Sequence, residues 1–232
     1  MKAMKRILVW ALVILTFTAC DDDDDKQTVV ELKHDMRYTF NVTVRGQWTE
    51  ETHPNYFPGD AGFGKVVAIT QKDDNVLFQK GKKAPTWMKS YFENEDTSNF
   101  TNYFTEQKTN NRVSGFTSSE GCPATGSSEF EITTEGRFNK FSMITKLSPS
   151  ADWFIGVNNI DLDGLAYGGS ATFITSVWDA GLFSGEYHSN KGSATNESIE
   201  TYKGAPLSYP DGGINNFAIV TIKLKSSEKI EP

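Results

Sequence analysis

Cysteine, histidine and positive charge are all scarce in this 232-residue chain, which holds two cysteines, three histidines, and 23 Lys+Arg against 30 Asp+Glu for a formal charge of −7. Two cysteines cannot build a disulfide scaffold. The cysteines and His34, His53 and His188 are scattered, with no C-x-x-C or H-E-x-x-H spacing, so a zinc cluster is excluded too. No basic excess exists to neutralise a phosphate backbone, which argues against nucleic acid as a partner. A G-x-S-x-G elbow, a G-x-x-x-x-G-K-[ST] phosphate cradle and a dinucleotide fingerprint are all missing. An enzymatic reading then rests on carboxylates alone, whose separation is invisible in a sequence and which leave sugar hydrolysis open. With 38% apolar and 12% aromatic residues the chain does have enough to build a core, so disorder is excluded.

The amino terminus reads as an export signal. Lys2, Lys5 and Arg6 precede an apolar run over Ile7–Phe17 that is short for a membrane span, and Thr18-Ala19-Cys20 supplies small residues for cleavage. A cysteine at the start of the mature chain resembles a bacterial lipoprotein signal, although Phe17 stands where that pattern prefers an aliphatic residue. The resemblance implies a signal peptide over residues 1–19, lipid on Cys20 and an outer-membrane location. The alternative is a secreted chain in which Cys20 is incidental. Cleavage removes three positive charges and no negative ones, so the mature balance is 20 − 30 = −10. Asp21–Asp25 supply five of those negatives, and their mutual repulsion predicts an extended, solvated spacer within a tether spanning 20–37. Flexible carboxylates make poor calcium chelates, the other use of such a run. The run also resembles the acidic stretch that directs Bacteroidetes lipoproteins to the cell surface. The membrane is then reached through the lipid anchor only.

Beyond the tether a single cysteine remains, Cys122, with no base or cation beside it in Ser119-Glu120-Gly121-Cys122-Pro123. It reads as an ordinary loop or half-buried thiol rather than a nucleophile.

From Tyr38 onward the apolar spacing is two, the period of a strand. Tyr38, Phe40, Val42 and Val44 alternate with polar neighbours, as do Phe141 and Met143, and Ala218, Val220, Ile222 and Leu224. Lys65–Ile69, Glu129–Ile132 and the β-branched run Ala171–Val177 predict further strands, separated by turn chemistry such as Asp73-Asp74-Asn75 and Asp211-Gly212-Gly213. Pro85 to Glu95 departs from this period. Trp87, Tyr91 and Phe92 recur at helical spacing behind a proline suited to a first turn, which predicts a short helix on the sheet edge. The expectation is an all-β chain: one antiparallel β-sandwich over 38–225 with one or two short helical insertions, and a C-terminal tail over 226–232.

Asn159-Ile160-Asp161-Leu162-Asp163-Gly164 half-matches a calcium loop, but Ser170 stands at the twelfth position where a bidentate glutamate belongs. A turn between strands is the plainer reading.

Four other segments are more specific. Ser148-Pro149-Ser150-Ala151-Asp152-Trp153-Phe154-Ile155-Gly156-Val157 resembles the P-S-P-D-W-F-V-G-V signature of the spondin amino-terminal domain family, with Asp161-Leu162 following at the family's spacing. Trp178-Asp179-Ala180-Gly181 resembles that family's aromatic-D-A-G motif, 27 residues after Asp152. Gln47-Trp48-Thr49 and Thr52-His53-Pro54-Asn55-Tyr56-Phe57-Pro58 are similar to its opening motifs, and the chain order agrees. The resemblance covers roughly Tyr38 to Leu224 and implies a β-sandwich similar to a C2 domain, with calcium held by loop carboxylates at one end. Asp152 and Asp179 match the first two ligand positions. Phe183 replaces the third, and Glu186 is a candidate substitute. Animal relatives of this family are matrix adhesion proteins. The resemblance therefore implies a non-enzymatic, surface-anchored binding or adhesion module whose partner is an extracellular protein or glycan. The alternatives are a glycan-processing enzyme or polysaccharide-binding accessory lipoprotein, and a periplasm-facing envelope protein with a structural role. Trp153 and Trp178 read as core or loop-anchoring aromatics.

Overall fold

The computed structural model describes residues 32–55, 57–72, 77–165, 169–185, 191–202, 204, 207, 213–214 and 216–231. The signal peptide, Cys20, Asp21–Asp25, the Asp73-Asp74-Asn75 turn, Glu186, His188, Asp211 and Gly212 lie outside the described residues.

Alternation along Met36–Gly46 (β1) buries Tyr38, Phe40, Val42 and Val44 and leaves Arg37, Asn41 and Arg45 exposed, as a strand with one wet face requires. β1 is central in a four-stranded sheet, flanked by Ser127–Glu135 (β5) and Ala218–Lys229 (β11), with Ser170–Ile174 (β8) beyond β11. The second sheet runs Glu200–Thr201 (β10), Ser176–Asp179 (β9), Trp153–Asp161 (β7), Lys140–Ser148 (β6), Gly62–Gln71 (β2) and Val113–Ser119 (β3), with Cys122–Pro123 (β4) paired to the start of β2. Every pairing is antiparallel. Phe40, Val42, Val220 and Ile222 from one sheet and Val66, Phe141, Met143 and Ile155 from the other share one buried cluster, which makes the fold the expected all-β sandwich.

The central strands β2, β6 and β7 of the second sheet are buried on both faces, which explains why Val66-Val67-Ala68-Ile69 is a continuous apolar run rather than an alternation. Val66 and Ala68 face the sandwich interior, while Val67 and Ile69 join Ile144 and Phe154 beneath two helices, Thr86–Asn94 (α1) and Ser98–Thr109 (α2). Trp87, Tyr91 and Phe92 of α1 and Phe100 and Phe104 of α2 fill that second core. The helix expected at a sheet edge therefore lies on the sheet's outer face, because its apolar side matches the second apolar face of β2, β6 and β7. The Tyr91 hydroxyl fastens it, donating to the Lys65 carbonyl at 2.6 Å and accepting the Lys146 N–H at 2.9 Å. No helix among the described residues is long and apolar enough to cross a membrane.

Ala171–Val177, read as one strand, is divided. β8 and β9 belong to different sheets, and Thr175 between them turns the chain with its hydroxyl on the Ala218 carbonyl at 2.9 Å. The ends of the domain also differ from expectation. Residues 226–229, assigned to a tail, continue β11 and pair back to Met36. Leu32, assigned to the tether, is buried, and its N–H reaches Asp163 Oδ1 at 3.3 Å. Asp163 also takes the Asn139 amide, and Asp161 accepts the Asp163 N–H at 2.9 Å and pairs with Lys140 at 2.7 Å. The half-matched calcium loop is thus a turn with its carboxylates engaged in local bonds.

These registers give the sandwich two poles. Arg37, Glu135 and Glu228 meet at one, beside Lys140 and Asp161, and both described chain ends arrive there. Gly46 and Ala218, Gly62 and Ser148, and Trp153 and Asp179 meet at the other. The nine residues of β7 set the separation at roughly 26 Å.

Candidate functional site

The four motif segments are far apart in sequence, yet all of them gather at the pole away from the chain ends. After β1 the chain turns in, with the Gln47 N–H on the Phe217 carbonyl at 2.7 Å and the Trp48 N–H on the Ala124 carbonyl at 3.1 Å. Trp48 is buried among Phe57, Phe63 and Phe217, with its ring centroid 5.0 Å from that of Phe217. His53, also buried, lies with its ring centroid 4.1 Å from Phe217, and its Nδ1 is 2.9 Å from the Thr52 hydroxyl. These residues form a wall for the pole. Cys122 sits behind it, buried, and burial pushes its thiol pKa up, which disfavours the reactive thiolate.

The carboxylates stand at the strand ends beside this wall. Asp152 directly precedes β7, in a turn where the Ser150 hydroxyl accepts the Trp153 N–H at 2.8 Å. It is 1% exposed, and its Oδ2 accepts the N–H groups of Leu182 at 2.7 Å and Phe183 at 2.9 Å. Asp179 ends β9 directly across from Trp153, and its Oδ1 accepts the Gly181 N–H at 2.7 Å. Gly181 adopts φ +68°, and a Cβ there would come within 2.7 Å of the Glu197 backbone. The glycine of the W-D-A-G motif is thus required by both backbone and space.

A buried carboxylate and a half-buried one without a full counter-charge repel each other. Burial, and then the charge of Asp179, push the Asp152 pKa up from 3.8 to about 6, against the lowering effects of the Leu182 and Phe183 N–H groups and of Lys146. Burial also raises Asp179, with Glu197 adding to the effect and the Gly181 N–H opposing it. Asp152 Oδ1 and Asp179 Oδ2 receive no hydrogen bond among the described residues. Two spare carboxylate oxygens and unbalanced negative charge fit a hard divalent cation that keeps several waters. The same residues fit no thiolate- or imidazole-bound metal, and no group of three or more His, Cys, Asp or Glu side chains converges among the described residues.

The structure therefore brings together Asp152 and Asp179, and it places Phe183 against them by its backbone. The Phe183 side chain is buried and supplies no oxygen. The lysine whose charge acts on Asp152, Lys146, and the one over the Phe183 ring, Lys191, were not evident from the sequence. Lys146, on β6, donates to the Phe92 carbonyl at the end of α1 at 2.7 Å, and burial lowers its pKa while Glu95 and Asp152 raise it. Lys191 Nζ lies 4.2 Å from the centroid of the Phe183 ring and 3.4 Å from Glu93. No spacing links either lysine to the aspartates. Trp153 packs in the core against Tyr202, and Trp178 packs with Phe78 and Phe154 in the helix layer, so both are packing aromatics as expected.

Similarity to known proteins follows the same residues. Residues 38–211 match the Spondin_N family. Spondin-2 of Homo sapiens is 22% identical over 191 residues, covering 80% of this chain and 57% of that protein. Spondin-2 of Rattus norvegicus is 20% identical over 162 residues, covering 67% and 49%. The chain spans about half the length of these curated relatives. With the match extending over more than half of its residues and the four motif segments meeting at one pole, the chain belongs to the Spondin_N family.

Proposed function

We propose that this protein is a non-enzymatic binding and adhesion module of the bacterial cell surface, held by lipid on Cys20 and spaced from the membrane by Asp21–Asp25. Calcium then orders the loops of the pole remote from the anchor. The observation that carries this reading is the polarity of the sandwich: the chain enters and leaves at one pole, while the motif residues and the Asp152–Asp179 pair occupy the other. A tether at the first pole leaves the second free to meet an extracellular protein or glycan.

At that pole Asp152 and Asp179 would hold calcium through Oδ1 and Oδ2, the oxygens that accept no backbone N–H. Their other oxygens position the Gly181–Phe183 segment, so cation binding and loop order are joined through the same two side chains. Bound calcium supplies charge balance and rigidity rather than chemistry at a substrate. With only two carboxylates the affinity belongs in the range of weak extracellular modules, about 10⁻⁴–10⁻³ M.

Thermal unfolding of the purified protein in calcium and in chelator tests the site. Calcium raises the melting temperature of the parent and not of Asp152→Ala; an equal rise in both overturns the assignment. Deleting Asp21–Asp25 tests the address. Protease shaving of intact cells is expected to lose the signal, and undiminished surface exposure refutes the spacer's role. Screening on glycans for both retention and product release tests the non-enzymatic reading, which turnover would contradict.

A further inference from the structure

The two sheets differ in what covers them. Helices lie on the outer face of the larger sheet, whereas no helix among the described residues lies on that of the four-stranded one. Period-two alternation sends every second residue of β5, β1 and β11 to this open face. The registers place Glu131, Asn41 and Lys223 in one row and Glu129, Thr43 and Thr221 in the next. These two rows line a cavity of about 420 Å³. A second cavity, of about 380 Å³, follows the seam where β3 meets β5 and is lined by Arg37, Glu131 and Thr133 of the sheet and by Lys108 and Phe116 beside it. At the seam the Ser114 hydroxyl accepts the Glu135 N–H at 2.9 Å, and a Cβ on Gly115 would come within 2.1 Å of the Thr133 carbonyl. Glu131 lines both cavities, so they join in one furrow along the flank of the sandwich.

The charges of this furrow cancel. Arg37, Lys108 and Lys223 stand against Glu129, Glu131 and Glu135, in a chain whose formal charge is −7. A polyanion would meet the carboxylates and a polycation the basic groups, so neither is favoured. An apolar partner finds little to grip, because Ile174, the large apolar side chain exposed among the described residues, lies outside both cavities. What the furrow does offer is donors beside acceptors: basic groups, carboxylates, the Asn41 amide and threonine hydroxyls, of which those of Thr39 and Thr133 lie 3.1 Å apart. A sugar hydroxyl both donates and accepts, so a saccharide can use all of them at once. Phe116 is half-buried, with Phe100 and Phe104 behind it at 6.1 and 6.3 Å between ring centroids, and its ring suits the C–H groups of a sugar.

We propose that this furrow binds a neutral glycan chain, with Glu131 at the junction of two subsites. The proposal names the partner of the binding-module reading and rests on that reading, but it makes no use of the Asp152–Asp179 pair. From β5 to β11 is about 10 Å at the usual strand spacing, so a chain rather than a single sugar fills both cavities.

Affinity electrophoresis of the purified protein in gels holding galactomannan, xyloglucan or dextran tests this, with polygalacturonate as the charged comparison. The variants are Glu131→Ala and Asn41→Ala in the furrow and Lys89→Gln on the exposed side of α1, all at exposed positions where urea midpoints should stay at the parent value. At least one neutral polymer is expected to retard the parent, equally in calcium and in chelator. Each furrow variant should bind that polymer about three- to tenfold more weakly, and Lys89→Gln as the parent does. Retention unchanged in both furrow variants, or stronger on polygalacturonate than on any neutral polymer, overturns the proposal and leaves a binding module whose contact surface is elsewhere. A parent retarded by none of the neutral polymers overturns it as well. Release of reducing ends from a retained polymer would instead overturn the non-enzymatic reading on which the proposal rests.

Discussion

Asp152 offers the sharpest quantitative test of the electrostatics of the pole. In the folded chain its pKa stands near 6, whereas its ordinary value is 3.8. A carboxyl whose folded pKa is raised binds its proton more tightly in the folded state. Its contribution to stability is therefore fully present below about pH 4 and is lost as the pH rises through about 6. The displacement from 3.8 to about 6 corresponds to about 3 kcal/mol. That is a ceiling, and it is a large fraction of the roughly 5–15 kcal/mol that stabilises a typical domain. Asp152→Asn removes the titration without removing the geometry, since the amide oxygen can still accept the Leu182 and Phe183 N–H groups. Urea unfolding in chelator at pH 4, 5.5 and 7 measures the difference between parent and variant, in which the other titrating groups largely cancel. Relative to the parent, Asp152→Asn should gain up to about 3 kcal/mol between pH 4 and pH 7, and most of that gain should vanish when calcium is added to the parent at pH 7. A difference that is flat across this range, or that favours the parent at pH 7 in chelator, would refute the claim that Asp152 is strained by burial and by Asp179.

Three further predictions concern the frame around the site. Tyr91→Phe deletes the hydroxyl that joins β2 to β6 under α1, leaving the Lys65 carbonyl and the Lys146 N–H without that partner, and should cost about 1–3 kcal/mol in urea unfolding. Phe217→Ala empties the space between Trp48 and His53 and should cost about 3–5 kcal/mol, and Phe217→Leu distinctly less. Cys122 is buried with a raised pKa, so labelling by a thiol reagent at pH 8 should be slow in the folded protein and complete within the mixing time in denaturant; fast labelling of the native protein contradicts its placement.

How far the sequence is legible depends on what each residue answers to. β1 and β11 have one wet face, so their period-two alternation is visible and their pairing follows. β2 has no wet face, and its continuous apolar run conveys burial without saying that two cores need it. The second helix was hard to read for a related reason. Phe100 and Phe104 are only a pair, and what commits them to a helix is the apolar surface made by Trp87 of α1 and Phe116 of β3, which no local pattern displays. Thr175 switches sheets in mid-run because its hydroxyl and N–H both satisfy the Ala218 carbonyl, a contact 43 residues away. At the site, Asp152, Asp179 and Gly181 were legible because motifs fix their spacing. Lys146 was not, because a long flexible side chain can bring its charge to a site from many positions in the sequence.

The two kinds of residue at the pole have different physical duties, and this bears on how the module would work. Trp48, His53, Phe63 and Phe217 are buried against one another and hold the wall by packing of their rings. Asp152 and Asp179 hold the neighbouring loop through hydrogen bonds to Gly181, Leu182 and Phe183, yet the burial that makes those bonds strong also makes both carboxylates reluctant to ionise. The loop is therefore the part of the pole tied to the Asp152–Asp179 pair, and on the calcium reading proposed above its order would follow the occupancy of that pair. A ligand that rests on the wall alone would bind independently of calcium; one that also touches residues 181–185 would gain affinity as the cation fills the site. Measuring binding of any partner in calcium and in chelator, at pH 5 and pH 7, separates those two footprints, because only the second can show both dependences at once.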